Sequence, residues 1–598
     1  MPPIAVEHIP SEAIRTKAAE PLLTTANEAE RKDPSSNSAA AYKVLEQPSQ
    51  TGRKLRVIAI GAGASALNFA HDVDTSALDV ELVCYEKNAE IGGTWFENKY
   101  PGCACDIPSV LYQYSWAPSP ECYSTAPEIL GYFKKVAADY GLLKYVRLSH
   151  RVVGATWCEE DQQWRVRVQR GEDPGDVVED RAHVLVNASG VLNAAWDNGI
   201  DLAGKRVAVI GGGSSAVQIV PNIQPVVSSL TCFIRSTSWV TAGFGQRYAG
   251  KDGANFNYTE EQKEVLRNDP EKYLTYRKTI ESELNSRFKF IINGSKEQAD
   301  ARAFAEKEMR RKLQAKPEIG DMIVPTDFAV GCRRPTPGNG YLESLCEENV
   351  TVVPQSIDEI TEKGIRTADG VEHEFDVIVC ATGFDVSWRP KYPTIGRDGR
   401  SLSDEWRDIP STYLSISVPH FPNYLSKYIQ ANDTNGHSLI ASVFNGPFGP
   451  YGHGSFLPIT EVLSKHFIQM LTKMSMEYLT SFEPKEEAVA DFAEHRRTFL
   501  PRTAWTSPCR SWFKQGTVDG EVMMWPGSRT HFFETMKAPR WEDYVLSYAD
   551  RNRFYYLGNG FAAREVDGRD ITWYLGLLDG KDVQPVFSDS DIQLFMTL

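Results

Sequence analysis

"KLRVIAIGAGASALNFAHDV", residues 54–73, decides the fold. A short β-branched run meets Gly61-x-Gly63-x-x-Ala66, and an amphipathic helical pattern follows at once. "DVELVCYEKN" (79–88) then reads as a second buried strand. In such a unit the first glycine makes a tight turn and the second lets backbone N–H groups approach a pyrophosphate. The small third residue lets helix and strand pack closely. A lone match is weak, because ordinary strand–helix units also carry glycine turns.

The arrangement recurs at "GKRVAVIGGGSSAVQIVPNI" (204–223), with Gly211, Gly213 and Ala216, and the strand "LTCFIRS" (230–236) follows. Two copies in the same context predict an α/β chain with two Rossmann-like dinucleotide-binding domains. The residue ending each second strand separates their ligands. Glu86 follows Gly61 by 25 residues, where a carboxylate accepts from ribose hydroxyls and repels a 2′-phosphate. Arg235 follows Gly211 by 24 residues, where a guanidinium attracts that phosphate. The first unit is therefore expected to hold an unphosphorylated adenosine, as in FAD or NAD, and the second NADPH. Ser214, Ser215 and Ser236 join the second cofactor-binding set.

At 598 residues the chain exceeds a single compact core. Residues 1–50, rich in Ser, Ala, Glu and Pro, read as a disordered tail. The expected domains are an FAD-binding part at 51–190, an NADPH-binding domain at 191–370 and a second FAD-binding part with the C-terminal region at 371–598. Charged helical patterns at about 255–320 read as an insertion in the NADPH domain. A formal net charge of −15 argues against nucleic acid as a partner. No apolar run reaches membrane-spanning length, and the start lacks the pattern of a secretion signal. Ten cysteines lack metal-ligand or disulfide-framework spacing, which favours a reducing cytoplasm. No metal constellation or Ser-His-Asp triad stands out.

Further segments carry a family likeness. "EIGGTWFENKYPGCACDIPSVLYQYSW" (90–116), "NASG" (187–190), "CATGFD" (380–385), "GPYGHGSFLP" (449–458) and "CRSWFK" (509–514) together resemble the Baeyer–Villiger monooxygenases. "YLGNGFAAREVDGRDITWYLGLLDGK" (556–581) resembles a fungal branch active in secondary metabolism. The resemblance implies FAD and NADPH as cofactors, a small-molecule ketone and molecular oxygen as substrates, and an ester or lactone as product. It implies hydride transfer to the flavin, formation of a C4a-peroxyflavin and attack on the carbonyl. Arg333 of "GCRRP" (331–335) then partners Arg235 on the 2′-phosphate, and Arg334 stabilises the developing oxyanion. Asp106 pairs with Arg334 and orients it. Gly92, Gly93, Thr94, Trp95 and Tyr112 lie by the flavin, Trp512 contacts the nicotinamide half, and Gly452–Ser455 approach the isoalloxazine end. A related monooxygenase that oxidises N or S atoms is the alternative, as is a catalytically impaired homologue.

Two departures motivate that last reading. The family fingerprint F-x-G-x-x-x-H-x-x-x-W-[P/D] keeps its end in Trp196-Asp197, but its Phe, Gly and His positions are Val186, Ala188 and Leu192. A linker segment is missing there, and a polar excursion at 425–444 interrupts the flavin part. Both are expected to reflect a skipped exon piece and a retained intron, with genuine divergence as the competing reading.

Overall fold

The computed structural model describes residues 42–121, 124–190, 196, 199–241, 256–383, 388–425, 448–450 and 454–576, with isolated positions at 248, 250 and beyond 581. Leu55–Ile60 forms the predicted first strand, with five of its six residues buried. It lies inside a five-stranded sheet, in the order Tyr424–Leu425, Val184–Asn187, Leu55–Ile60, Val80–Tyr85, Val146–Arg147. All its pairings are parallel. Such a sheet needs cover on its faces, and helices Ala64–Thr75 and Leu457–Met476 pack together beside it. Strands near 55, 184 and 424 thus meet in one sheet, so the first unit draws on both halves of the chain.

The second glycine turn belongs to a separate four-stranded sheet, Val350–Val353, Ser229–Phe233, Arg206–Ile210, Val377–Cys380. It too is wholly parallel. The two units repeat one local device. Gly61 has φ +102°, and a Cβ there would lie 2.6 Å from the Ala188 carbonyl oxygen. Gly211 has φ +121°, and its Cβ would lie 2.2 Å from the Ala381 oxygen. "NASG" and "CATG" are therefore the chains that cross each turn, and only glycine fits beneath them.

The helical insertion comprises Glu260–Asn268, Pro270–Ser286, Lys296–Lys312 and Pro317–Ile323. The side chains of Thr259, Asp269 and Ser295 accept from backbone N–H groups and cap the first three helices; a cap contributes about 1 kcal/mol. From the second helix, Tyr273 donates its hydroxyl to Gln113 Oε1 at 2.7 Å, docking the insertion on the segment that follows Asp106.

The structure adds what the sequence reading did not foresee. His150–Cys158, Gln163–Arg170 and Val177–Ala182 form an antiparallel sheet, joined by Thr394–Ile395. The tail expected to run to residue 50 is anchored before that point: the Gln47 carbonyl accepts from Asn559 N, and Ser49 exchanges backbone hydrogen bonds with Phe561 and Ala563. Residues 1–41, the linker junction with Leu192 and Asp197, and the excursion from 426 to 447 lie outside the described residues. Among the described residues, no helix is long and apolar enough to cross a membrane.

Candidate active site

The first glycine turn is backed by a second. A Cβ on Gly93 would come within 3.1 Å of Gly63 Cα, and Gly92 N donates to Ala62 O. Glu86 closes this corner from below. It is 3% exposed, and its two oxygens accept from Ala62 N at 2.8 Å and Asn88 N at 2.9 Å. Burial pushes its carboxyl up, and those two N–H donors oppose the shift. Each oxygen retains a lone pair for a further donor such as a ribose hydroxyl. Ser65 Oγ and Thr94 Oγ1 are buried here with no hydrogen-bond partner. Buried hydroxyls rarely go unpaired. With the glycine cradle, they fit a dinucleotide bound at this turn.

Trp95 and Tyr112 extend the corner. Trp95 Nε1 donates to the Tyr112 hydroxyl at 3.1 Å, and both rings are buried. Burial raises the Tyr112 phenol, with added repulsion from Cys105 and Asp106. Asp106 faces Arg334 across 228 residues of sequence: Nη2 donates to Oδ1 at 2.8 Å, and Nη1 donates to Oδ2. Each side chain is only 11% exposed. Burial works against the guanidinium charge, but Asp106 outweighs it and holds the Arg334 pKa above its ordinary value. This planar fork fixes the arginine in direction as well as charge.

Asp106 also lies next to the second unit. Tyr100 donates its hydroxyl to Gln218 Oε1 at 3.0 Å, and Gln218 Nε2 donates to Ala104 O at 2.9 Å. Gln218 belongs to the helix Ser214–Ile223 that opens after the second glycine turn. A Cβ on Gly102 would meet Asn222 at 2.2 Å. Sequence reasoning missed Tyr100 and Gln218. The only available signal was their nearness to residues already singled out.

At the second turn, Ser214 Oγ lies 2.8 Å from Thr336 Oγ1, which anchors the chain just past Arg333 and Arg334. Ser215 Oγ is buried without a partner. Arg235 stands exposed directly after the strand Ser229–Phe233 and Ile234, and Ser236 follows it half-buried. Arg333 Nη1 donates to Ser238 Oγ at 2.9 Å, which brings it to the loop after Arg235. Its Nε is buried and unpartnered. Burial first, then repulsion from Arg510, lower the Arg333 pKa to about 10. An orphaned hydroxyl on the turn, and an underpaired cation on the chain that Thr336 ties to it, fit an anionic dinucleotide here.

Trp512 is half-buried, on a short turn with Phe513 and Lys514. Gly452 and His453 lie outside the described residues. Ser455 is buried, and its carbonyl accepts from Arg529, a residue sequence reasoning also missed. Arg529 pairs in turn with Glu281 of the helical insertion. Among the described residues, no group of His, Cys, Asp and Glu could hold a metal.

One expectation needs correction. The cysteine spacing suggested no disulfide, yet Cys332 and Cys509 are bonded, with Cα atoms 6.3 Å apart. The partners are 177 residues apart in sequence. Folding, not local spacing, brings them together.

Residues 60–123 match the family described as NAD(P)-binding Rossmann-like domain. The chain is 36% identical over 572 residues to the FAD-binding monooxygenase tazF of Aspergillus terreus, covering 90% of this chain and 98% of that protein. It is 35% identical over 572 residues to the FAD-binding monooxygenase stcW of Emericella nidulans, covering 90% of each chain. Among solved structures it resembles cyclohexanone monooxygenase from Rhodococcus sp. Phi1 bound to NADP+, at 25% identity and a TM-score of 0.67. That match covers 83% of this chain and 100% of the other. Two glycine-turn sheets, with an arginine–carboxylate fork beside them, define an α/β flavoprotein oxidoreductase. The chain belongs to the FAD-binding monooxygenases, within the Baeyer–Villiger family.

Proposed function

We propose that this protein is an FAD-dependent, NADPH-consuming Baeyer–Villiger monooxygenase that inserts one atom of O2 beside a ketone carbonyl, giving an ester or lactone in secondary metabolism. The observation that carries this reading is the nearly buried Asp106–Arg334 fork, whose two chains are tied to the second glycine turn through Ala104–Gln218 and Thr336–Ser214. When bound, the flavin supplies hydride acceptance and oxygen activation.

The chain's own residues do the rest. Gly61, Gly63 and Ala66 admit the FAD pyrophosphate, Glu86 takes ribose hydroxyls, and Gly93, Thr94, Trp95 and Tyr112 wall the flavin side. Gly211, Gly213, Ser214 and Ser215 admit the NADPH pyrophosphate, and Arg235, Ser236 and Arg333 take its 2′-phosphate. Trp512 borders the nicotinamide half. Arg334 meets the negative charge that develops on the ketone oxygen, and Asp106 keeps the guanidinium aimed and charged. A preorganised cation in a dry site contributes several kcal/mol to such a step.

In this reading residues 51–190 and 371–598 serve FAD, and residues 191–370 serve NADPH. A cytoplasmic location completes the proposal; seven unpaired cysteines among the described residues suit it. The test is to supply holoenzyme and NADPH with a panel of cyclic and open-chain ketones, amines and sulfides. Esters or lactones one oxygen heavier support the reading. Products from the amines or sulfides alone reject it.

A further inference from the structure

Each bonded cysteine is followed by an arginine: Cys332 by Arg333 and Cys509 by Arg510. A disulfide with Cα atoms 6.3 Å apart therefore brings together two Cys-Arg dipeptides that are 177 residues apart in sequence. One loop continues into Arg334 and the strand Thr336–Pro337, the other into Trp512. The chain carries 79 acidic residues against 64 Lys and Arg. Even so, neither Arg333 nor Arg510 forms an ion pair among the described residues, whereas Arg334, one position on, does. Lys514, the next cation in this region, spends its ammonium on the Ser507 and Val518 carbonyls. Arg510 is exposed, and Arg333 has one side-chain hydrogen bond, to Ser238, with the Asp327 carboxylate attracting it more weakly than Arg510 repels it.

We propose that the Cys332–Cys509 disulfide assembles the phosphate end of the coenzyme site, setting Arg510 beside Arg333 so that both face one dianionic phosphate, and that its reduction disperses the pair. The inference rests on the NADPH reading above and adds Arg510 and the tether to it. The repulsion between these arginines, which helps lower the Arg333 pKa to about 10, is what a bound anion would relieve.

Opening the tether takes two electrons and two protons from a dithiol. One thiolate attacks a cystine sulfur, the second thiol resolves the mixed disulfide, and the reductant leaves as a cyclic disulfide. Cys332 and Cys509 remain as thiols, and the Arg510 loop is then held by non-covalent contacts alone. In a reducing compartment the preference for the phosphorylated coenzyme would follow the thiol balance.

The test needs no turnover. Thiols are counted in the unreduced, denatured holoprotein: eight of the ten cysteines should react, and ten after dithiol treatment. NADP+ and NAD+ are then titrated calorimetrically into FAD-loaded wild type, C332S/C509S and R510Q. Wild type should prefer NADP+. Each variant should keep its FAD and its NAD+ affinity while losing about tenfold in NADP+ affinity, the worth of one charge-assisted contact. R510Q alters an exposed side chain, so it decides the matter if C332S/C509S fails to retain FAD. Ten reactive thiols before reduction would overturn the tether, and unchanged NADP+ affinity in R510Q would overturn the cation pair. Wild type without an NADP+ preference would overturn the coenzyme reading and this inference with it. An intact preference in wild type and both variants would overturn this inference alone.

Discussion

Replacing Arg334 with alanine removes the cation of the fork and leaves Asp106 facing an unfilled corner. Both side chains are 11% exposed, so the stranded carboxylate is largely cut off from water. Breaking a buried pair by deleting one partner costs about 3–5 kcal/mol of stability, and slight solvent access places this case near the lower end. The catalytic loss is separate. Losing a preorganised donor at a developing oxyanion costs roughly 10²–10³ in turnover. The residues proposed to hold the FAD pyrophosphate and ribose are Gly61, Gly63, Ala66 and Glu86, none of them a member of the fork, so flavin content should survive. Thermal unfolding, flavin absorbance and ester formation together separate these effects. R334A should lose both stability and product. The double variant R334A/D106A removes the stranded carboxylate, so it should regain part of the stability but none of the turnover. R334K should recover little, because one ammonium cannot reproduce both bonds of the fork. Product formation near the wild-type rate by R334A/D106A would refute the role assigned to the arginine.

R235A and R333A should each raise the NADPH Michaelis constant at least tenfold while leaving NADH use almost unchanged; steady-state kinetics with both coenzymes checks this. G61A and G211A should differ in kind. The first drives a Cβ to 2.6 Å from the Ala188 oxygen and should lose FAD, whereas the second drives one to 2.2 Å from the Ala381 oxygen and should keep FAD but bind NADP+ poorly. His466 is 1% exposed, and burial lowers its pKa from 6.5 to about 4. Its stabilising contribution is present above pH 6.5 and lost as pH falls toward 4, because only the unfolded chain takes the proton across that window. Melting temperatures should fall there, and H466N should flatten part of the fall.

The glycine turns were legible because their constraint is local. A positive φ beneath a crossing carbonyl admits only glycine, and strand and helix patterns flank it. The alternation in "QWRVRVQR" was also present, and those residues form the middle strand of the antiparallel sheet. Its partners are the neighbouring segments in sequence, but alternation alone does not say which strands pair. Asp106 and Arg334 stand 228 residues apart, and nothing in either neighbourhood names the other. Only the resemblance to a family suggested that they meet. The Cys332–Cys509 bond had no such guide, since its partners share no motif spacing. Tyr100, Gln218 and Arg529 are ordinary residues whose importance comes from position in the folded chain.

Isotope labelling tests oxygen insertion beside the ketone most directly. Holoenzyme, NADPH and a ketone that the enzyme accepts are incubated under ¹⁸O2, and the product is hydrolysed and analysed by mass spectrometry. One ¹⁸O atom is expected, in the new ester or lactone linkage, with product formed in step with NADPH consumed and lost in R334A. Hydrogen peroxide without labelled ester from any ketone, or label appearing only on nitrogen or sulfur of other substrates, would contradict that insertion.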